Sequence, residues 1–179
     1  MTDIKGTKTE KNLFDAFVNE SKTRNKYTLY AAVARKDGYD DIAAAFEQAA
    51  DNEKEHARVW LKLLNGGELP FTEDNLNDAI EGERFEGEDV YSQMAETAKD
   101  EGFDDIAFLF RSIKKIEKEH ENTFRTLLDE LKGNTINKNK NKTAWVCKNC
   151  GYMVSDEIAP GRCSVCGFPQ DYFEKRIVG

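Results

Sequence analysis

The sequence predicts an all-α four-helix bundle followed by a small, metal-stapled β/loop domain. Three observations predict it. Four long stretches place apolar residues at helical spacing. The tetrapeptide Glu53-Lys54-Glu55-His56 returns unchanged 64 positions later as Glu117-Lys118-Glu119-His120, and these hold the only two histidines of the 179-residue chain. All four cysteines lie between positions 147 and 166, as two C-x-x-C pairs.

The first helix is predicted over 8–36. Thr7 and Glu10 fit a capping box at its start, and Leu13, Phe17, Glu20, Arg24, Tyr27, Ala31 and Ala34 step by fours and threes. Gly38 marks the turn into a second helix over 40–64, with the stripe Ile42, Phe46, Ala49, Glu53, His56, Trp60, Leu63. Glu and His interrupt an apolar face there, and burying carboxylates without partners costs several kcal/mol, so something must compensate them. Residues 65–74, NGGELPFTED, break the pattern with two glycines and a proline. A third helix follows over about 75–100, with Leu76, Ile80, Glu83, Glu86, Tyr91, Met94 and Ala98 near one face. Gly102 turns the chain into a fourth helix over 104–132, with Ile106, Phe110, Ile113, Glu117, His120, Phe124, Leu127 and Leu131.

The two halves read as copies. Residues 36–43 match 100–107 at an offset of 64, and Tyr27 and Phe46 match Tyr91 and Phe110. Glu20 matches Glu83 at an offset of 63, so one extra residue lies between Glu83 and Tyr91. A one-residue insertion in a helix is often absorbed as a π-bulge, and one is expected there.

The segment 133–143 is rich in Asn and Lys and reads as a flexible linker. It divides the bundle, 1–132, from a C-terminal domain, 144–179, too short to build a core without a staple. Charged residues make up 34% of the chain and the net charge is −8, which disfavours nucleic acid as a partner. No apolar run is long enough to span a bilayer, and the first residues lack a signal-peptide pattern, so a cytoplasmic protein with no membrane partner is expected.

Two Glu-x-x-His pairs on two helices, with one mid-stripe Glu on each of the other two, form the pattern of a di-metal site inside a bundle. The candidate ligands are Glu20, Glu53, His56, Glu83, Glu117 and His120. Mixed oxygen and imidazole donors suit iron or manganese. Glu86 breaks the symmetry, because Thr23 stands at the matching place. It is a candidate fifth carboxylate that binds one metal in a redox-dependent way, in competition with a histidine. Tyr27 and Tyr91 fall on the site-facing stripe and would orient ligand carboxylates. Cys147, Cys150, Cys163 and Cys166 form a tetrahedral all-sulfur site, which zinc and a single iron both fit.

With these residues in view, the whole chain resembles the rubrerythrins. The resemblance rests on Glu20, Glu53-x-x-His56, Glu83-x-x-Glu86, Glu117-x-x-His120, Cys147-x-x-Cys150-Gly151-Tyr152 and Cys163-x-x-Cys166. It implies a ferritin-like di-iron domain with two non-haem irons, then a rubredoxin-like domain with one iron. It also implies reduction of hydrogen peroxide, with electrons entering at the four-cysteine iron. By the same resemblance Glu86 exchanges with His56, and Tyr27 and Tyr91 support the ligands.

No G-x-G-x-x-G pattern is present, so a separate NAD(P)H-linked reductase or a rubredoxin is the expected electron donor. Two other functions fit the same residues: ferrous-iron oxidation or oxygen reduction, and a non-catalytic iron scaffold with a structural zinc ribbon. Ten residues between the second and third helices reach at most ~36 Å, about the length of a 25-residue helix (~38 Å). A homodimer is therefore expected, with helices exchanged between its subunits.

Overall fold

The computed structural model describes residues 3–133, 142–156 and 158–178. Most of the predicted linker, 134–141, lies outside the described residues. The chain forms two compact units, Met1–Pro70 and Phe71–Gly179.

The first unit is a helical hairpin of α1 (Lys8–Lys36) and α2 (Asp40–Leu64). Thr7 caps α1 by accepting from Glu10 N–H at 3.1 Å, while the Glu10 carboxylate accepts from Gly6 N–H at 2.7 Å, one residue ahead of the standard box. The turn is a Schellman motif. Tyr39 N–H donates to Ala34 O at 2.8 Å and Gly38 N–H to Arg35 O at 3.1 Å, with Gly38 at φ +84°. Gly102 repeats it at φ +84°, with Phe103 N–H on Ala98 O at 2.8 Å.

The second unit opens with α3 (Thr72–Phe85), a π-helical turn (Glu86–Val90), α4 (Tyr91–Asp100) and α5 (Asp104–Leu131). The π turn sits within the predicted interval and keeps α3 and α4 on one helical rod beside α5. The third helix starts at Thr72, three residues earlier than expected, because Phe71 takes an extended backbone and acts as its N-cap. Seven residues therefore separate α2 from α3.

The most buried positions are not the large residues of the predicted stripes. Ile42 and Ile106 are half-exposed, whereas Ala31, Ala34, Ala43, Ala50 and Ala57 are buried in the first unit. In α2 they recur every seven residues, the spacing of a coiled-coil seam, and methyl side chains let the two backbones approach. Ala95, Ala98 and Ala107 repeat Ala31, Ala34 and Ala43 in the second unit. The seam then diverges: Lys114 stands at the place of Ala50, and Glu121, 2% exposed, at the place of Ala57. Lys118 and Arg125 bond the Glu121 carboxylate at 2.7 and 2.8 Å, which compensates its burial and holds it below the usual carboxylate range.

The C-terminal part carries a three-stranded antiparallel sheet, with β1 (Lys142–Cys147) between β2 (Met153–Val154) and β3 (Phe173–Val178). Register pairs Trp145 with Val154 and Cys147 with Phe173. Its core is Cys147, Ala159, Cys163 and Phe173, with Trp145, Tyr152, Val154 and Val165 packed on it. Two of those four buried residues are cysteines, so the sulfurs stand where a larger domain would place aliphatic side chains.

Candidate metal centre

Helical spacing puts the carboxylates and the imidazole of each Glu-x-x-His on one face, and the neighbouring helix adds one more carboxylate. In the first unit Glu20 on α1 joins Glu53 and His56 on α2, with ligand atoms within 4.8 Å of one another. His56 Nδ1 lies 2.8 Å from Glu53 Oε2 and 3.8 Å from Glu20 Oε2. In the second unit Glu83 on α3 joins Glu117 and His120 on α5. His120 Nδ1 lies 2.8 Å from Glu117 Oε2 and 3.4 Å from Glu83 Oε2. In both, Nδ1 and carboxylate oxygens converge on one point, a mixed donor set that suits iron.

The two half-sites differ electrostatically. Hydrogen bonding with Glu20, and then with His56, holds Glu53 below the usual carboxylate range. Burial and the nearby Glu83 push Glu117 up. Burial, and then the negative charges of Glu117, Glu86 and Glu83, likewise raise the Tyr91 hydroxyl, so Tyr91 lies beside these three carboxylates. Tyr91 also packs on Phe110 at 6.1 Å, and Tyr27 on Phe46 at 5.7 Å. Glu86 opens the π turn on the exposed side and stands outside the Glu83–Glu117–His120 cluster.

The cysteines occupy two matching knuckles. Gly151 N–H donates to Cys147 O and Cys147 N–H to Tyr152 O; Gly167 N–H donates to Cys163 O and Cys163 N–H to Phe168 O. Both glycines take φ +75°. Cys147 and Cys166 Sγ are 3.7 Å apart, as are Cys150 and Cys163 Sγ. A tetrahedral ion with ~2.3 Å metal–sulfur bonds requires edges of about 3.8 Å, so four thiolates here fit one iron or zinc. The same separations are far beyond a disulfide bond of ~2.05 Å. Burial raises the Cys150 and Cys163 thiols. Burial acts upward on Cys166 too, but hydrogen bonds from Phe168 N–H and the Asn149 side chain outweigh it and bring Cys166 to about 7.

The first knuckle lies against α5. A Cβ added to Gly151 would stand 2.9 Å from Ile116 Cγ2 and 3.3 Å from His120 Nε2. Gly167 has only Arg162 Nη1, at 3.9 Å. This contact was not foreseen from the sequence, where C-x-x-C-G-Y marks the knuckle and nothing marks what it touches. Glu121 and Lys114 were missed as well. Extending the 64-residue comparison along α5 exposes them, since both replace alanines.

Sequence comparisons agree with this arrangement. The family model described as Rubrerythrin matches residues 11–128 and 74–146. A second model, the rubredoxin-like domain of rubrerythrin, matches 145–174. The chain is 43% identical to the rubrerythrin of Porphyromonas gingivalis over 96% of its length and 91% of that protein. It is 40% identical to rubrerythrin-1 of Clostridium acetobutylicum, covering 97% of each chain. Against the rubrerythrin of Nitratidesulfovibrio vulgaris it is 36% identical, again over 97% of each. Di-iron carboxylate–histidine candidates and a four-cysteine rubredoxin-like site are both present.

Proposed function

The chain belongs to the rubrerythrin family, and on that premise we propose that it is an oxidoreductase that reduces hydrogen peroxide to water at a di-iron centre. Glu20, Glu53 and His56 would hold one side of the centre, and Glu83, Glu117 and His120 the other. When bound, the metal pair supplies two reducing electrons together and open coordination for the peroxide oxygens. The protein orients the donors and handles protons. Burial, and then the negative charges of Glu117, Glu86 and Glu83, favour the protonated Tyr91 hydroxyl, which would steady Glu83 and Glu117 or donate to a departing oxygen. Tyr27 is its counterpart on α1. Glu86 is the ligand whose engagement changes with oxidation state. It has no partner in the first half, where Thr23 stands, so only one metal gains the extra charge.

The observation that carries the relay is the seating of the Cys150–Gly151 knuckle on His120. A one-electron iron held by Cys147, Cys150, Cys163 and Cys166 would lie one peptide unit away from a di-iron ligand. Electrons would come from a separate NAD(P)H-linked reductase or a rubredoxin. Seven residues between α2 and α3 reach at most ~25 Å, short of the ~38 Å length of α2. This supports a homodimer in which the α1–α2 hairpin of one chain pairs with α3–α5 of another. An assembly whose di-iron ligands all come from one chain rejects that exchange.

Metal analysis and stopped-flow spectroscopy test the main reading. Three irons per chain, and reduced protein oxidised faster by peroxide than by oxygen, are the expected result. Zinc at the cysteines, or oxygen reacting as fast as peroxide, would favour a scaffold or an oxygen reductase and overturn it. Glu86→Ala should lower the peroxide rate and alter the spectrum of the oxidised iron pair; an unchanged rate and spectrum would remove Glu86 from the mechanism.

A further inference from the structure

The π turn is where the two halves part, and two residues outside every ligand set meet at it. Several hydroxyl side chains elsewhere in the helices bond the carbonyl four residues back. Ser21 does so to Phe17 at 2.8 Å, Thr28 to Arg24 at 3.1 Å and Thr97 to Gln93 at 3.0 Å. Ser92, the counterpart of Thr28, instead donates to Gly87 O, five residues back, at 3.3 Å. The widened turn displaces that carbonyl from its ordinary α-helical partner, and the Ser92 hydroxyl reaches it. Ser92 Oγ in turn accepts from Lys114 Nζ on α5 at 2.8 Å.

Lys114 has no equivalent in the first half, where the buried Ala50 cannot reach across the helix pair. Its backbone touches the same turn. Gly87 is buried, and a Cβ there would stand 3.5 Å from Lys114 O and 3.7 Å from Glu117 Cβ. One α5 residue thus meets the π turn through its carbonyl and through its ammonium group.

We propose that Lys114 and Ser92 form a latch that fixes the register of the π turn and so sets where the Glu86 carboxylate stands. They are positioning residues and touch no reacting atom. If the extra residue migrated past Glu86, that side chain would turn by about 100° around the helix axis relative to Glu83. Bonding Gly87 O, immediately after Glu86, opposes that migration. The first half has neither a π turn nor a lysine at this place, so the latch acts on Glu86 alone. Its functional consequence rests on the reading of Glu86 as a ligand.

The test uses the full-length, iron-loaded protein with Lys114→Met, Ser92→Ala and the conservative Lys114→Arg. Amides of residues 88–92 should exchange with deuterium about tenfold faster in the first two variants, with full iron content, and Lys114→Arg should restore part of the protection. The oxidised iron spectrum of Lys114→Met should shift toward that of Glu86→Ala. Unchanged exchange at 88–92 in both Lys114→Met and Ser92→Ala overturns the latch. Faster exchange with a parental iron spectrum, where Glu86→Ala alters that spectrum, overturns the link to Glu86. If Glu86→Ala itself leaves the spectrum unchanged, the ligand reading has failed, and exchange alone still decides whether the latch exists.

Discussion

Adding one carbon to each knuckle separates how the four-cysteine site is built from what it leans on. Gly151 and Gly167 share φ +75°, so an alanine at either pays the left-handed penalty of about 1–2 kcal/mol. Gly167→Ala meets nothing closer than Arg162 Nη1 at 3.9 Å and should lose little more than that. Gly151→Ala would put Cβ 2.9 Å from Ile116 Cγ2, about 0.6 Å inside the ~3.5 Å at which carbon atoms attract. Overpacking of this kind costs a further ~1–3 kcal/mol. The extra cost cannot exceed the free energy of seating the knuckle on α5, because beyond that the knuckle lifts away. The assay is denaturant unfolding of the zinc-loaded, full-length protein, with amide exchange read at residues 115–120. Gly151→Ala should be the less stable of the two, and should speed exchange at Ile116 and His120 where Gly167→Ala does not. Equal stability and equal exchange would refute the contact.

Three other outcomes follow from the same physics. Glu117 has a raised folded-state pKa, so its contribution to metal-free stability is present when it is protonated and is lost as pH rises through that value. Metal-free Glu117→Gln should therefore melt above the parent near about pH 7, with the gain closing toward about pH 4; with iron bound the order should reverse, as calorimetry across pH would show. Stripping the four-cysteine metal should abolish the near-ultraviolet signal of Trp145 while leaving the far-ultraviolet helical signal nearly intact, since that unit's core is largely sulfur. Ala107→Leu, at a position with 0% exposure, should cost about 1–3 kcal/mol in thermal unfolding, whereas Ala44→Leu, at an exposed site, should cost less than ~0.5 kcal/mol.

Much of this molecule is legible in its sequence for identifiable reasons. Apolar periodicity and the glycines at 38 and 102 mark α1, α2 and α5 to within a residue, because a Schellman turn needs φ above zero at its C′ position. The repeated Glu-Lys-Glu-His marks two half-sites, since helical spacing alone brings Glu and His together. The offset of 63 rather than 64 marks the π turn. Other features escape. The stripes overstate the burial of Ile42 and Ile106 and understate the alanine seam, because a small side chain carries little hydropathy yet decides how closely backbones approach. Phe71 lies in the pattern-breaking segment 65–74, with nothing there to mark it as the cap of α3, where it is 86% exposed. Lys114 and Glu121 look like surface charges, and only their neighbours reveal that each is a partner in a packed seam.

The third helical rod keeps two sets of books on distance. From Glu20 to Glu83 the copies are 63 residues apart, while from Tyr27 to Tyr91, Ala31 to Ala95 and Ala34 to Ala98 they are 64 apart. The rod behaves as a vernier, with one scale graduated by the candidate ligands and the other by packing, slipped by a single residue at the π turn. Residues that clamp α4 to α5 can stay in register while α3, which carries the candidate ligand Glu83, answers to a different angular setting. A lengthened or shortened loop cannot achieve this, because it would shift both scales together.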